Sequence, residues 1–126
     1  MSHKPACVIA HVDVGTAALG QGLHNASSGR APVVIFAGVA PSTLLGEAPG
    51  SRSEHVQWYQ DIRDQAALVA PYSRFSAEIK SPHNVGSLVH RAVLMATTGS
   101  PGPVYLTATR EILATPLPSP QARLKP

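Results

Sequence analysis

The sequence predicts an α/β fold, an open parallel sheet with helices on both faces. Two apolar runs, VVIFAG (Val33–Gly38) and VYLTA (Val104–Ala108), lack polar alternation, as strands buried on both faces do. Stretches with helical spacing separate the strand candidates, and Gly or Pro stands at most junctions. Both apolar runs follow a proline-bearing turn and are expected to be interior, parallel strands of one sheet.

The elements follow in order. Cys7–Ala10 is a short apolar strand, with Cys7 expected as a buried core thiol. Thr16–Ser28 reads as a helix with Leu19, Leu23 and Ala26 on one face, closed by Gly29 as a left-handed cap. After Val33–Gly38, the Pro-, Gly- and Ser-bearing stretch Pro41–Gly50 is a loop. Ser51-Arg52-Ser53-Glu54 has capping-box spacing, so a helix is expected through HVQWYQDIRDQAALV, with Val56, Tyr59, Ile62 and Ala66 on its apolar face. Tyr72–Ser76 is a candidate short strand. Asn84–Thr98 is the clearest helix, with Val85, Leu88, Val89, Ala92 and Met95 at helical spacing and Gly99 at its end. Residues 1–115 read as one domain, with no internal repeat. Residues 116–126, PLPSPQARLKP, read as an extended or disordered tail. Three firm strands make a thin sheet, and the chain opens on a buried-type strand, so it reads like the latter part of a larger domain.

Composition narrows function. At 126 residues with 13% charged and 44% hydrophobic, the chain can bury a core but is small for an elaborate enzyme. The net charge of +3 comes without a basic run or an aromatic-plus-basic stripe, so no nucleic-acid partner is expected. No apolar run is long enough for a membrane span and no signal peptide is legible. A single cysteine, without an internal disulfide partner, fits a reducing compartment such as the cytoplasm.

The turn HVDVGT, His11–Thr16, invites comparison with phosphate-binding loops. A Walker A loop needs a lysine and a hydroxyl residue after its second glycine, yet no lysine stands between Lys4 and Lys80. Gly15, Gly20 and Gly22 also miss the dinucleotide spacing. His11 and Asp13 lack a third metal ligand nearby in sequence. His24 with Ser27 and Ser28 shares a helix end without a nucleophile elbow. His83 and His90 read as surface or structural residues. Arg52, between Ser51 and Ser53, suits either an anion or a plain capping role.

Three stretches carry a resemblance. GTAALGQGLHNASSGRAPVVIFAGVAP resembles the segment after the G-P-G-A-T-N turn of thiamine diphosphate enzymes of the acetolactate synthase group, including the strand that ends in a T-G-x-x-P-like turn. TTGSPGPVYLTATREIL is similar to that family's T-G-R-P-G-P-V turn and last strand, and WYQDIRDQAALVAPYSRF to its F-Q-E and P-I-T-K segments. The resemblance runs from about Ala6 to Leu113 and maps to the latter two-thirds or so of the pyrimidine-binding domain, so residues 1–115 are expected to be a partial, truncated form of it.

It implies thiamine diphosphate with Mg2+ as cofactor, joined by FAD in the acetolactate synthase group, and decarboxylation or carboligation of 2-keto acids. The cofactor's thiazolium carbon must lose a proton before it attacks such a substrate. In the family a glutamate on the pyrimidine domain assists, from a position before the strand with which this chain begins. Glu47, Glu54, Glu78 and Glu111 all fall later, in loops, helix starts or the tail, and the G-D-G…N diphosphate motif is absent. No catalytic residue is assigned, and Mg2+ ligands are expected outside this chain.

The resemblance also places Asp13–Ala18 beside the cofactor's pyrimidine ring. Val14 stands where proline is common, Gly15 at the second glycine, and Ala18 where asparagine is usual. Gln60 matches the glutamine of F-Q-E, between Tyr59 and Asp61. The plain alternative is a tight turn for Val14 and Gly15, and an exposed helix position for Gln60. Two functions follow: part of a thiamine diphosphate enzyme that is inactive alone, or a non-catalytic interaction module derived from one. Either implies a homo-oligomer or a complementary subunit.

Overall fold

The computed structural model describes residues 4–117 of the chain. Four strands form one sheet in the order β1-β2-β4-β3: β1 Ala6–Ala10, β2 Val33–Gly38, β3 Phe75–Ile79 and β4 Pro103–Ala108. All three pairings are parallel, with Ile35 registered between Val8 and Tyr105. The two apolar runs are the interior strands, side by side, as expected.

Alternate residues of these strands feed opposite cores. On one face Ile35, Ala37 and Tyr105 pack with Leu23 from helix α2 (Gly20–Ser28) and with Val69. On the other, Val104 and Leu106 pack with Ala92 and Ala96 of helix α4 (Val85–Thr97). Helices therefore cover both faces. Helix α4 packs on β4, β3 and β2. Its small residues let it sit close, and Gly99 ends it at φ 66°. Arg74 caps its carboxyl end, donating to the carbonyls of Met95 at 2.7 Å and Thr98 at 2.8 Å.

Several elements depart from the sequence reading. The helix expected over 16–28 is two pieces, α1 (Val14–Ala17) and α2, because Leu19 N–H turns back early to Thr16 C=O at 3.1 Å. Gly29 is not left-handed, at φ −79°. The left-handed residue is Arg30 at φ 51°, flanked by bonds from Ala31 N–H to Ala26 C=O and from Arg30 N–H to Ser27 C=O. That is a Schellman closure one residue later than expected.

The long helix expected after Ser51 shrinks to α3 (Val56–Tyr59) and a 3-10 turn at Ala66–Leu68. Ser51 Oγ is spent on the Ala48 carbonyl at 2.7 Å, and the Ser51 N–H also goes to that carbonyl, at 3.1 Å, rather than to Glu54. Arg52 then folds the segment back on itself. It donates to Pro41 C=O at 2.9 Å, pairs with Asp61 and lies over the Trp58 ring, so it is a strut rather than an anion ligand.

β3 begins three residues later than the expected Tyr72, where Arg74 N–H meets Pro103 C=O at 2.9 Å and sets the register. Cys7 is exposed, contrary to expectation. Glu78 lies on β3 rather than in a loop, helix start or tail, whereas Glu111 lies at a helix start as expected, in the first turn of a short helix, α5 (Arg110–Ala114). The proline-rich tail falls outside the described residues beyond Leu117.

Candidate functional site

Parallel strands all end on the same side of their sheet, and open α/β sheets take ligands there. Here the carboxyl ends of β2, β3 and β4 border a cleft of about 600 Å³, walled by Val39–Ser42, Gln60–Ala66 and Ser76–Glu78. A smaller cleft of about 160 Å³ lies between His11–Val12 and Gly38–Pro41, with Gln57, Gln60 and Arg110.

The turn from β1 into α1 is tightly built. Gly15 N–H reaches back to Val12 C=O at 3.3 Å. Asp13 sits at φ 55°, ψ −103°, close to the first central position of a type II′ turn, where glycine is favoured. Gly15 is required sterically, since a Cβ there would come within 2.8 Å of His11 Cβ.

A single loop residue ties this turn to the sheet. Gln65, only 7% exposed, accepts the Asp13 N–H on Oε1 at 2.7 Å. Its Nε2 donates to Gly38 C=O at 2.8 Å and to the Tyr105 hydroxyl at 2.7 Å. The Tyr105 hydroxyl lies 2.8 Å from Thr16 Oγ1. Tyr105 and Thr16 are both fully buried, so each hydroxyl needs such a partner. The sequence reading missed Gln65 and Tyr105 and covered Thr16 only as part of Asp13–Ala18. The signal was available in Tyr105, whose hydroxyl lies inside an otherwise apolar, buried strand and must find a polar partner.

The sequence-predicted residues separate into two groups. Val14, 66% exposed, and Ala18 lie on the outer side of α1 with Gly15 between them. Gln60, at the end of α3, lines both clefts and faces the His11–Val12 end of the turn, whereas Val14, Gly15 and Ala18 line neither.

Of the glutamates, Glu78 borders the main cleft and pairs loosely with Lys80 at 3.7 Å. Burial pushes the Glu111 carboxyl up, but the Thr43 hydroxyl and N–H, at 2.6 and 2.8 Å, reverse this and hold it at about 2. That carboxylate clamps the loop after β2 onto α5. It is a structural acceptor and no proton donor near neutral pH. Glu47 is lowered by hydrogen bonds from its own and the Leu45 backbone, on an exposed loop.

Among the described residues no three His, Cys, Asp or Glu side chains converge to hold a metal ion. Gln60, Val39 and Ala40 border both clefts, and Asp61, Asp64 and Glu78 join them in the larger one. Among the described residues no helix is long and apolar enough to cross a membrane.

The family model described as "Thiamine pyrophosphate enzyme, N-terminal TPP binding domain" matches residues 1–68. A "Probable 2-ketoarginine decarboxylase" of Pseudomonas aeruginosa is 26% identical over 117 residues, 93% of this chain and 20% of that protein. A "Probable acetolactate synthase large subunit" of Methanocaldococcus jannaschii is 28% identical over 98 residues, 78% of this chain and 15% of its own length. The fold matches an X-ray structure described as a thiamin diphosphate-dependent enzyme from Mycobacterium smegmatis. The TM-score is 0.75 at 24% identity, over 93% of this chain and 21% of that one.

Proposed function

The chain belongs to the family of thiamine pyrophosphate enzyme N-terminal domains, and on that premise we propose that it forms the pyrimidine-side wall of an enzyme acting on 2-keto acids. The reaction class is decarboxylation or carboligation. Thiamine diphosphate, when bound, supplies the carbon nucleophile, and this chain binds and orients the ring end. The observation that carries the reading is the Val12–Gly15 turn, pinned by Gln65 to the carboxyl end of β2 and to the Tyr105 hydroxyl of β4. In this reading Val14, Gly15 and Ala18 meet the ring on the outer side of α1, outside both clefts, and Gln60 stands apart from them in the clefts.

The diphosphate, Mg2+ and, in an acetolactate synthase-like enzyme, FAD are held by another domain or by a partner subunit. The chain by itself is inactive in this reading. Glu111 is locked on Thr43, Glu47 and Glu54 are exposed, and Glu78 is paired with Lys80.

A second reading, a non-catalytic interaction module, draws support from β1. That strand has a partner on one side only and exposes Ile9 and Cys7. A bare parallel edge offers unpaired N–H and C=O groups to another strand.

Titration of the isotope-labelled chain with thiamine, which lacks phosphates, tests the first reading by amide shifts. Weak, saturable shifts at Val14–Ala18 and at the Gln60 side chain are expected. Shifts clustered elsewhere, for example at His24 and Tyr72, would overturn it. Calorimetry with thiamine diphosphate and Mg2+ is expected to show no micromolar binding by the lone chain, and tight binding would refute the need for a second part.

A further inference from the structure

We propose that Gln65 is a positioning residue that holds the Val12–Gly15 turn in a conformation its own sequence disfavours. The inference rests on the reading of that turn as the ring-facing wall, and it assigns the geometry of that wall to a side chain 52 residues away.

Asp13 has no conformational reason to sit at φ 55°, ψ −103°. A Cβ is strained there, and such a conformation persists only where surrounding contacts over-determine it. The turn's own contribution is slight, since the Gly15 N–H to Val12 C=O bond is long at 3.3 Å. Asp13 N–H instead points to Gln65 Oε1 at 2.7 Å, the shortest backbone contact the turn makes.

The Gln65 amide has one orientation that satisfies all its neighbours. Oε1 must face the Asp13 N–H, because Nε2 has an acceptor-only carbonyl, Gly38 C=O, at 2.8 Å. Flipping the amide would set donor against donor and acceptor against acceptor. The second Nε2 hydrogen goes to the Tyr105 hydroxyl, which leaves the Tyr105 proton for Thr16 Oγ1 at 2.8 Å. Thr16 in turn donates to His11 C=O at 3.5 Å. One amide therefore links the turn after β1, the end of β2 and the middle of β4, and it orients a buried chain of hydroxyls beneath α1.

Gln65 also lines the main cleft, and Gln60 lies five residues before it on the same loop. Movement of this loop is thus transmitted to Asp13 through a single hydrogen bond. The two groups of sequence-predicted residues, Val14–Ala18 and Gln60, are mechanically joined at Gln65.

Amide hydrogen exchange and amide chemical shifts of the full chain test this. In Gln65→Met, exchange at Asp13 should accelerate about tenfold or more, while the interior strands stay protected. The Gly15 and Thr16 resonances should move. Gln65→Glu, protonated at about pH 4, keeps an acceptor for the Asp13 N–H and a donor for the Gly38 carbonyl, and there should leave Asp13 exchange within about threefold of the parent at that pH. Adding Asp13→Gly to Gln65→Met should return the Gly15 and Thr16 resonances toward their original positions, because glycine adopts the turn unaided. A residue that only filled space would give no such rescue. Unchanged Asp13 exchange in Gln65→Met, or no rescue by glycine, would overturn the inference. If Gln65→Met fails to fold, Gln65→Glu at about pH 4 decides it: retained Asp13 protection supports the role, and lost protection refutes it. These readouts need no ligand, so a failure of thiamine to bind would leave them standing.

Discussion

β1 and β4 are both short, apolar and parallel, yet they live in different surroundings. Every residue of β4 is buried, whereas β1 exposes Ala6, Cys7 and Ile9. The difference lies in what covers them. β4 has a strand on each side and a helix on each face, with Ala92 and Ala96 of α4 against Val104 and Leu106. On β1 only Val8 and Ala10 reach a core, the one shared with Leu23. Helix α4 packs over β2, β4 and β3, so Cys7 and Ile9, on that face, remain open. An apolar run therefore tells that a strand forms but not where in the sheet it lies.

Substitution at matched depth should break the comparison most visibly. Leu106→Ala in β4, where the side chain is 1% exposed, should cost about 2–5 kcal/mol by denaturant unfolding. Ile9→Ala, 80% exposed on β1, should stay within about 0.5 kcal/mol. Equal costs would mean that β1 is covered in solution.

Beyond the end of β4, polar contacts take over from packing, and acid should reveal it. Glu111 is held at about 2, below its ordinary 4.5, so its contribution is complete above 4.5 and is lost as the pH falls from there toward 2. The loss should be on the order of 2–3 kcal/mol in pH-dependent unfolding. Glu111→Gln should flatten that part of the profile, and an unchanged profile would sink the clamp.

The turn leaving β1 offers a smaller effect of opposite sign. Asp13→Gly should relieve about 1–3 kcal/mol of strain less about 0.4–1 kcal/mol for the freer unfolded chain, a net gain of about 1 kcal/mol. A lower melting temperature would show that the Asp13 side chain contributes something beyond its backbone.

The smallest change in stability sharpens the comparison at the edge itself. Ile9→Lys should leave unfolding within about 0.5 kcal/mol while reducing self-association in light scattering, since a charge on an edge strand opposes pairing. Association unaffected by the lysine would place the contact elsewhere.

The sheet was legible because its signal is local: VVIFAG and VYLTA lack polar alternation. Helix α4 was legible for the same reason, through helical spacing and the glycine that ends it. Between β2 and β3 the reading failed. A helix period is present from Val56 to Ala66, but Arg52 finds Pro41 and Asp61, and those distant bonds outweigh a weak local preference. The site was half legible. Its turn stood out by Gly15, while Gln65, read as one more residue of a long helix, gave no sign that it would face Asp13.

Sequence alone determined the parallel α/β class, the two interior strands, and the family, because apolar runs and glycine turns act over a few residues at a time. Only the tertiary structure decided which strand takes the edge opposite β1, which glutamate is locked, and which glutamine holds the turn. Those depend on which groups meet across 40 to 70 residues of chain, as Gln65 with Tyr105 and Thr43 with Glu111 do at separations of 40 and 68. A buried polar group must take whatever partner the packing brings it, and no local pattern names that partner in advance.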